Sequence, residues 1–180
     1  MSGELNGKKI AMLIGFREFR DEEYFIPKKI LESAGVRITT VSDSLGTAIG
    51  KLGGEAEINI LLENLKVEDY DAVLFIGGPG AGKYVDNETA HQIVRETIEK
   101  DKVLAAICIA PMILAKAGVL EGKKATVWSS VMDKSAVKVL KEAGAVYQES
   151  PVVVDGKIVT ASGPLAAKKF AEAVINILKI

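Results

Sequence analysis

One thiol, a pair of acids and a glycine-rich loop are the residues of this sequence whose types and spacing could do chemistry. The thiol is Cys108, the only cysteine, in VLAAICIAPMIL. The apolar run 103–107 reads as a buried strand, and Pro111 suits the first turn of a helix. A lone thiol between strand and helix is where a nucleophile elbow presents its reactive group. That strained turn needs small residues two before and two after the nucleophile, and Ala106 and Ala110 supply them. A helix starting at Pro111 would aim its positive end at the sulfur, so the sequence predicts a depressed thiol pKa. The plainer reading is a buried structural thiol.

Glu23 lies in DEEYFIP and shares a helical face with Pro27, Ile30 and Ala34. That face is apolar, and an acid there is costly unless paired or neutral. If Pro27 instead opens the helix, Glu23 sits in the loop leaving the first strand, at the same rim of the sheet. Either placement lets it meet the Cys108 turn. Glu22 falls off that face, towards solvent. The plainer reading of both acids is that they favour a helix N-terminus.

The loop GGPGAGKY, from Gly77 to Tyr84, satisfies G-x-x-x-x-G-K. A phosphate-binding loop continues with Ser or Thr for magnesium, and here Tyr84 follows. Its helix should also begin at the lysine, whereas YVDNETA puts the cap at Asp86 or Asn87. Nucleotide binding is therefore rejected. A loop of this kind can offer backbone N–H groups to a developing oxyanion, and Gly77 and Gly78 permit close approach. The single histidine, His91, falls one step off the apolar face of the following helix and is expected at the surface.

These residues need a frame that brings them together. Strand-like segments (9–15, 37–42, 71–76, 103–107, 125–128) alternate with helical ones (after residue 20, 87–100, 111–117, 135–143, 164–178). The core positions of the second helix are expected at Ala90, Ile93, Val94, Thr97 and Ile98. Residues 44–59 look irregular with a short hairpin, and VVVDGKIVTA reads as a hairpin about Asp155-Gly156. The alternation predicts an α/β fold: a doubly wound, mostly parallel sheet flanked by helices on both faces, in one domain over residues 1–180. In such sheets ligands bind beyond the carboxyl ends of the strands, where all three candidate segments lie. The 180 residues carry 23 basic and 24 acidic side chains, which gives no electrostatic case for nucleic acid or a membrane surface. No apolar run is long enough to span a bilayer. One cysteine excludes an intrachain disulfide and a multi-cysteine metal site, and it suits a reducing compartment, the cytoplasm. No cofactor or metal is expected.

Taken in order, EEYFIP, FIGGPG, AAICIAP and VVVDGKIVTASGP resemble the PfpI/ThiJ superfamily over residues 8–178. The resemblance implies the class I glutamine amidotransferase-like, flavodoxin-like fold. It implies Cys108 as nucleophile, Glu23 as the carboxylate that hydrogen-bonds its sulfur, and Gly78 with the Ile109 amide as oxyanion hole. Gly77 and Trp128 would line the substrate. Homodimers or larger rings are implied, with active sites near subunit interfaces.

The sequence departs from the family at its histidines. The PfpI proteases carry His directly after the nucleophile, and here Ile109 stands there. The parkinsonism-associated deglycase branch places a His at a point matching Trp128. Three functions follow from the remaining pair. The leading one is glyoxalase or deglycase chemistry on reactive carbonyls. The second is a PfpI-like peptidase or amidase, which would need an imidazole from elsewhere, such as His91 of another subunit. The third is a redox or stress sensor that oxidises Cys108.

Overall fold

A computed structural model describes residues 3–180. Strand β1 (Lys9–Leu13) is apolar after its first residue because both of its faces are covered. Ile10 and Met12 point to one side of the sheet and Ala11 and Leu13 to the other. A short strand, β2 (Arg17–Phe19), leads into helix α1 (Asp21–Ser33), which is followed by β3 (Arg37–Ser42). The glycine-rich region forms the hairpin of β4 (Gly46–Gly50) and β5 (Glu55–Ile58), which joins β2 in a three-stranded sheet. Strand β6 (Ile60–Leu61) and the fully buried β7 (Ala72–Phe75) come next. A 3-10 turn, Pro79–Tyr84, leads to α2 (Glu88–Glu99), where Asn87 Oδ1 accepts the Ala90 amide at 2.9 Å. The rest of the chain is β8 (Val103–Ile107), α3 (Pro111–Lys116), β9 (Lys124–Ala125), α4 (Ser135–Glu142), β10 (Val146–Tyr147), β11 (Val152–Asp155), β12 (Ile158–Ala161) and α5 (Ala167–Leu178).

The main sheet has the order β11-β12-β8-β7-β1-β3-β6, and only the β11–β12 pair is antiparallel. Tyr24 and Leu31 of α1 and Phe170 and Val174 of α5 cover one face. Ile93 of α2, Leu114 of α3 and Leu140 of α4 cover the other. This is the doubly wound α/β fold expected from the sequence. Parallel strands place the carboxyl ends of β1, β7, β8 and β12 along one edge, and the loops that leave them meet there.

Several details differ from expectation. The strand expected over 125–128 shrinks to β9, which pairs with β10 in a sheet of its own. Beyond it the backbone is held by single bonds instead of a ladder: Thr126 N donates to Thr160 Oγ1 at 2.9 Å and Trp128 N to the Cys108 carbonyl at 2.8 Å. Asp155 pairs with Ile158, so the hairpin turn is Gly156–Lys157, one residue later than expected. The last helix begins at Ala167, after a 3-10 turn over Pro164–Ala166. Ile98, expected in the core, is 38% exposed at the end of α2, where the helix runs past the sheet. Among the described residues no helix is long and apolar enough to cross a membrane.

Asp21 ties α1 to the β4–β5 hairpin. Its Oδ2 accepts the Leu52 amide and its Oδ1 the Gly54 amide, both at 2.8 Å, and the residue is buried. Two backbone donors in the hairpin turn therefore depend on one carboxylate. Asp21→Ala should cost about 2 kcal/mol, since it leaves both amides without that partner. Thermal unfolding checks this, with Asp21→Asn expected to fall between the variant and the natural chain.

Candidate functional site

Cys108 sits at φ 65°, a left-handed conformation that a non-glycine residue adopts only under strain. The surrounding bonds impose it. The Cys108 amide donates to the Ala161 carbonyl at 2.9 Å, at the end of β12, and its carbonyl accepts from Trp128. Ala106 and Ala110 are fully buried on either side. The turn is a strained elbow of the kind that the small-x-Cys-x-small pattern implies.

Glu23 lies in the first turn of α1, with Pro27 further along the same helix. Of the two placements open to the sequence, the helical one holds. Its side chain is fully buried and no cation pairs with it among the described residues. The groups facing its carboxyl are the Cys108 sulfur and the Gly77 amide, and neither carboxyl oxygen has a partner in full hydrogen-bond geometry. Gly77 is the spacer between acid and thiol. A side-chain carbon there would lie 2.6 Å from Cys108 Cβ and 2.6 Å from Glu23 Oε1, closer than carbon and oxygen atoms can pack. Gly78, at φ 103°, turns the loop so that its amide and that of Ile109 face the sulfur. Among the described residues neither amide donates to a backbone carbonyl. The Trp128 ring is half-buried beside Gly163, next to the elbow. Cys108, Glu23, Gly77, Gly78, Ile109 and Trp128 thus come together at one rim.

Burial dominates the protonation of the pair. It pushes the Glu23 carboxyl up to about 7, against weaker opposing effects of the Cys108 sulfur, Arg20 and the Gly77 amide. Burial, and then the charge of Glu23, pushes the Cys108 thiol up to about 12, and the Gly78 and Ile109 amides only partly offset this. The depressed thiol expected from the sequence is therefore corrected. Helix α3 is short, and the elbow buries its sulfur against an acid. Near neutral pH the thiol therefore keeps its proton while the carboxyl beside it titrates.

Sequence reasoning missed Arg20. Its guanidinium grips Glu22 at 2.9 and 3.2 Å, and its field reaches Glu23 and Cys108. Its amide donates to the Gly77 carbonyl at 3.0 Å, fixing it to the loop that leaves β7. The acid-rich run around it drew attention to the carboxylates alone. His91 corrects a second expectation, since it is buried rather than at the surface. Its Nε2–H donates to the Val85 carbonyl at 2.7 Å, because the loop before α2 folds back over the helix start. The ring is committed to a bond within its own chain. Lys83 of the rejected phosphate-loop motif pairs with Asp43 at 2.7 Å.

Residues 8–177 match the DJ-1/PfpI family. Deglycase PH1704 of Pyrococcus horikoshii is 30% identical over 94% of this chain and 99% of its own length. YraA of Bacillus subtilis, provisionally named a cysteine protease, is 31% identical over 96% of this chain and 99% of its own. The crystal structure of a ThiJ/PfpI domain protein from Brachyspira murdochii superposes with a TM-score of 0.90, at 34% identity over 99% of this chain and 98% of that one.

Two outcomes follow from the protonation of the pair. Alkylation of Cys108 by iodoacetamide should show an inflection above the ordinary thiol value of ~8.5, and Glu23→Gln should lower it by removing the facing charge. An inflection well below that value in the natural chain would contradict the geometry. Stability should also carry the mark of Glu23. The carboxyl is raised in the folded chain from 4.5 to about 7, so its burial costs nothing below pH 4.5 and progressively more up to about 7. The full cost is on the order of 3 kcal/mol. The melting temperature of Glu23→Gln relative to the natural chain should therefore rise across that window, whereas a constant difference would remove the charge as its cause.

Proposed function

Because the chain belongs to the DJ-1/PfpI family, we propose that it is a cysteine enzyme acting on small reactive carbonyls, of the glyoxalase or deglycase kind. The observation that carries this reading is the Glu23 carboxyl, fully buried, without an ion-pair partner among the described residues, and facing the Cys108 sulfur. Such a group titrates near neutrality and can take and return a proton at the reacting atoms. A thiol raised to about 12 does not attack as a standing thiolate. Glu23, ionised above about pH 7, accepts the thiol proton as sulfur bonds to the aldehyde carbon. The aldehyde oxygen gains negative charge opposite the Gly78 and Ile109 amides, then takes the proton from Glu23 and becomes the hydroxyl of a hemithioacetal.

The freed carboxylate removes the hydrogen on the former aldehyde carbon as a proton and returns it to the neighbouring carbon, while the proton on the former aldehyde oxygen passes to the neighbouring carbonyl oxygen, which becomes the product hydroxyl. For methylglyoxal this converts the hemithioacetal into a lactate thioester. Water then breaks the carbon–sulfur bond, releasing lactic acid and restoring the thiol. The sum is methylglyoxal plus water to lactate, with no external oxidant or reductant.

Two other readings are less well supported. Amide hydrolysis must protonate a poor amine leaving group, and the one imidazole, His91, is occupied by Val85 within its own subunit. A peroxide sensor needs a ready thiolate, which the raised thiol does not supply.

Purified protein should convert methylglyoxal to lactate without glutathione. Cys108→Ser and Glu23→Gln should each abolish turnover, and the rate should rise with pH through about 7. Arg20 lowers the Glu23 pKa, so Arg20→Gln should move that inflection to higher pH. Turnover that survives Glu23→Gln, or a rate that falls as pH rises through neutrality, would sink this mechanism.

A further inference from the structure

The loop that carries the Gly78 amide is crossed by a second length of backbone. Residues 15–20, which include β2, lie in direct contact with residues 77–80. A side-chain carbon on Gly80 would fall on the Arg17 carbonyl oxygen. One on Gly78 would fall on the Arg20 amide nitrogen and lie 2.6 Å from the Glu18 carbonyl oxygen. One on Gly15 would lie 2.8 Å from the Gly80 carbonyl carbon. Glycines on both sides thus let backbone pack on backbone, and the Arg20 amide closes the crossing with its bond to the Gly77 carbonyl.

The crossing segment is bent at Glu18. Arg17 pairs with Ile49 and Phe19 with Gly50, so Glu18 is the extra residue of a β-bulge between β2 and β4. Its φ of 55° is left-handed, a conformation ordinarily left to glycine. The bonds on either side impose it: Ile49 N donates to the Phe16 carbonyl at 3.0 Å and Lys51 N to the Phe19 carbonyl at 2.8 Å. The Glu18 side chain is exposed, and its ion pair among the described residues is a 3.5 Å contact with Lys51. A surface pair of that kind does not repay backbone strain, so the strain belongs to the path of the chain over the loop. Bulges beside active sites re-aim what they carry. We propose that residues 15–20 clamp the oxyanion loop, with Glu18 and Gly80 as positioning residues that set the direction of the Gly78 amide. Both act through Gly78 and neither touches substrate. The proposal rests on the reading of Gly78 as an oxyanion donor, and it gives the β4–β5 hairpin, which holds β2, a part in supporting the site.

Three variants test it. Glu18→Asn removes the charge but keeps a residue that tolerates the left-handed conformation, so kcat for methylglyoxal should stay within about twofold of the natural chain. Glu18→Gly relieves the strain and frees the segment to leave its path. Its melting temperature should not fall, yet kcat should drop about tenfold with little change in KM, because only transition-state binding is lost. Gly80→Ala forces the two backbones apart and should lower kcat in the same way. Hydrogen exchange at the buried Gly78 amide, followed by NMR, reads the clamp without turnover. It should be about tenfold faster in Glu18→Gly and Gly80→Ala than in the natural chain and Glu18→Asn. If Gly80→Ala does not fold, Glu18→Gly decides alone. Gly78 exchange that keeps its natural rate in these variants, or turnover undiminished by faster exchange, overturns the proposal. So does a kcat loss in Glu18→Asn as large as in Glu18→Gly, which would give the role to the carboxylate. Faster Gly78 exchange in a protein whose natural chain turns over no methylglyoxal would leave the clamp standing and defeat the carbonyl reading instead.

Discussion

A carboxyl group buried against a thiol, with no cation paired to it among the described residues, is the constraint on which the rest of this structure depends. Glu23 is fully buried beside Cys108. An ionised acid in such a place is expensive, so the group holds its proton to about pH 7. The fold bears that cost because three loops converge at one edge of a parallel sheet. The β8 loop carries the thiol, the β7 loop carries the Gly77 spacer, and α1, entered through β2, carries the acid. Any side chain at position 77 would force acid and thiol apart.

The same constraint decides which chemistry the site favours. A low-pKa thiolate would act unaided but would also react with any oxidant. A thiol raised to about 12 and facing a carboxyl at about 7 is quiet until an electrophile arrives, and then gives its proton to the acid. In the proposed reaction the same carboxyl takes and returns protons, which suits a rearrangement between adjacent carbons. Arg20, gripped by Glu22 at the edge of the site, moderates the acid without pairing with it. The bonds to Ala161 and Trp128 hold Cys108 in its strained backbone conformation, and so fix the place of the sulfur.

Much of this was legible in the sequence because it depended on local pattern. The strand at 103–107, the small residues about Cys108, the Asn87 cap and the alternation of elements are short-range signals, and the structure has all of them. Glu23 was legible through its place on an apolar helical face, which is a long-range fact written in helical period. What escaped had no local signature. The protonation of Cys108 depends on how deeply the elbow is buried and on which acid meets it, and neither can be read from a turn motif. His91 was misplaced because a loop from outside the helix covers it. The strand at 125–128 was overextended because its later residues bond to Thr160 and Cys108 rather than to a ladder.

The central claim is that burial raises Glu23 until it titrates close to physiological pH, so that its ionised form is basic enough to take the Cys108 proton and its neutral form returns it. Carbon NMR of protein labelled at the glutamate side-chain carboxyls observes it directly, with Glu23→Gln identifying the resonance. The account predicts a single carboxyl whose shift titrates near pH 7 and vanishes in that variant. If the Glu23 resonance titrates with the exposed glutamates near the ordinary ~4.3, the acid is not held in its neutral form by burial, and the proton shuttle assigned to it fails.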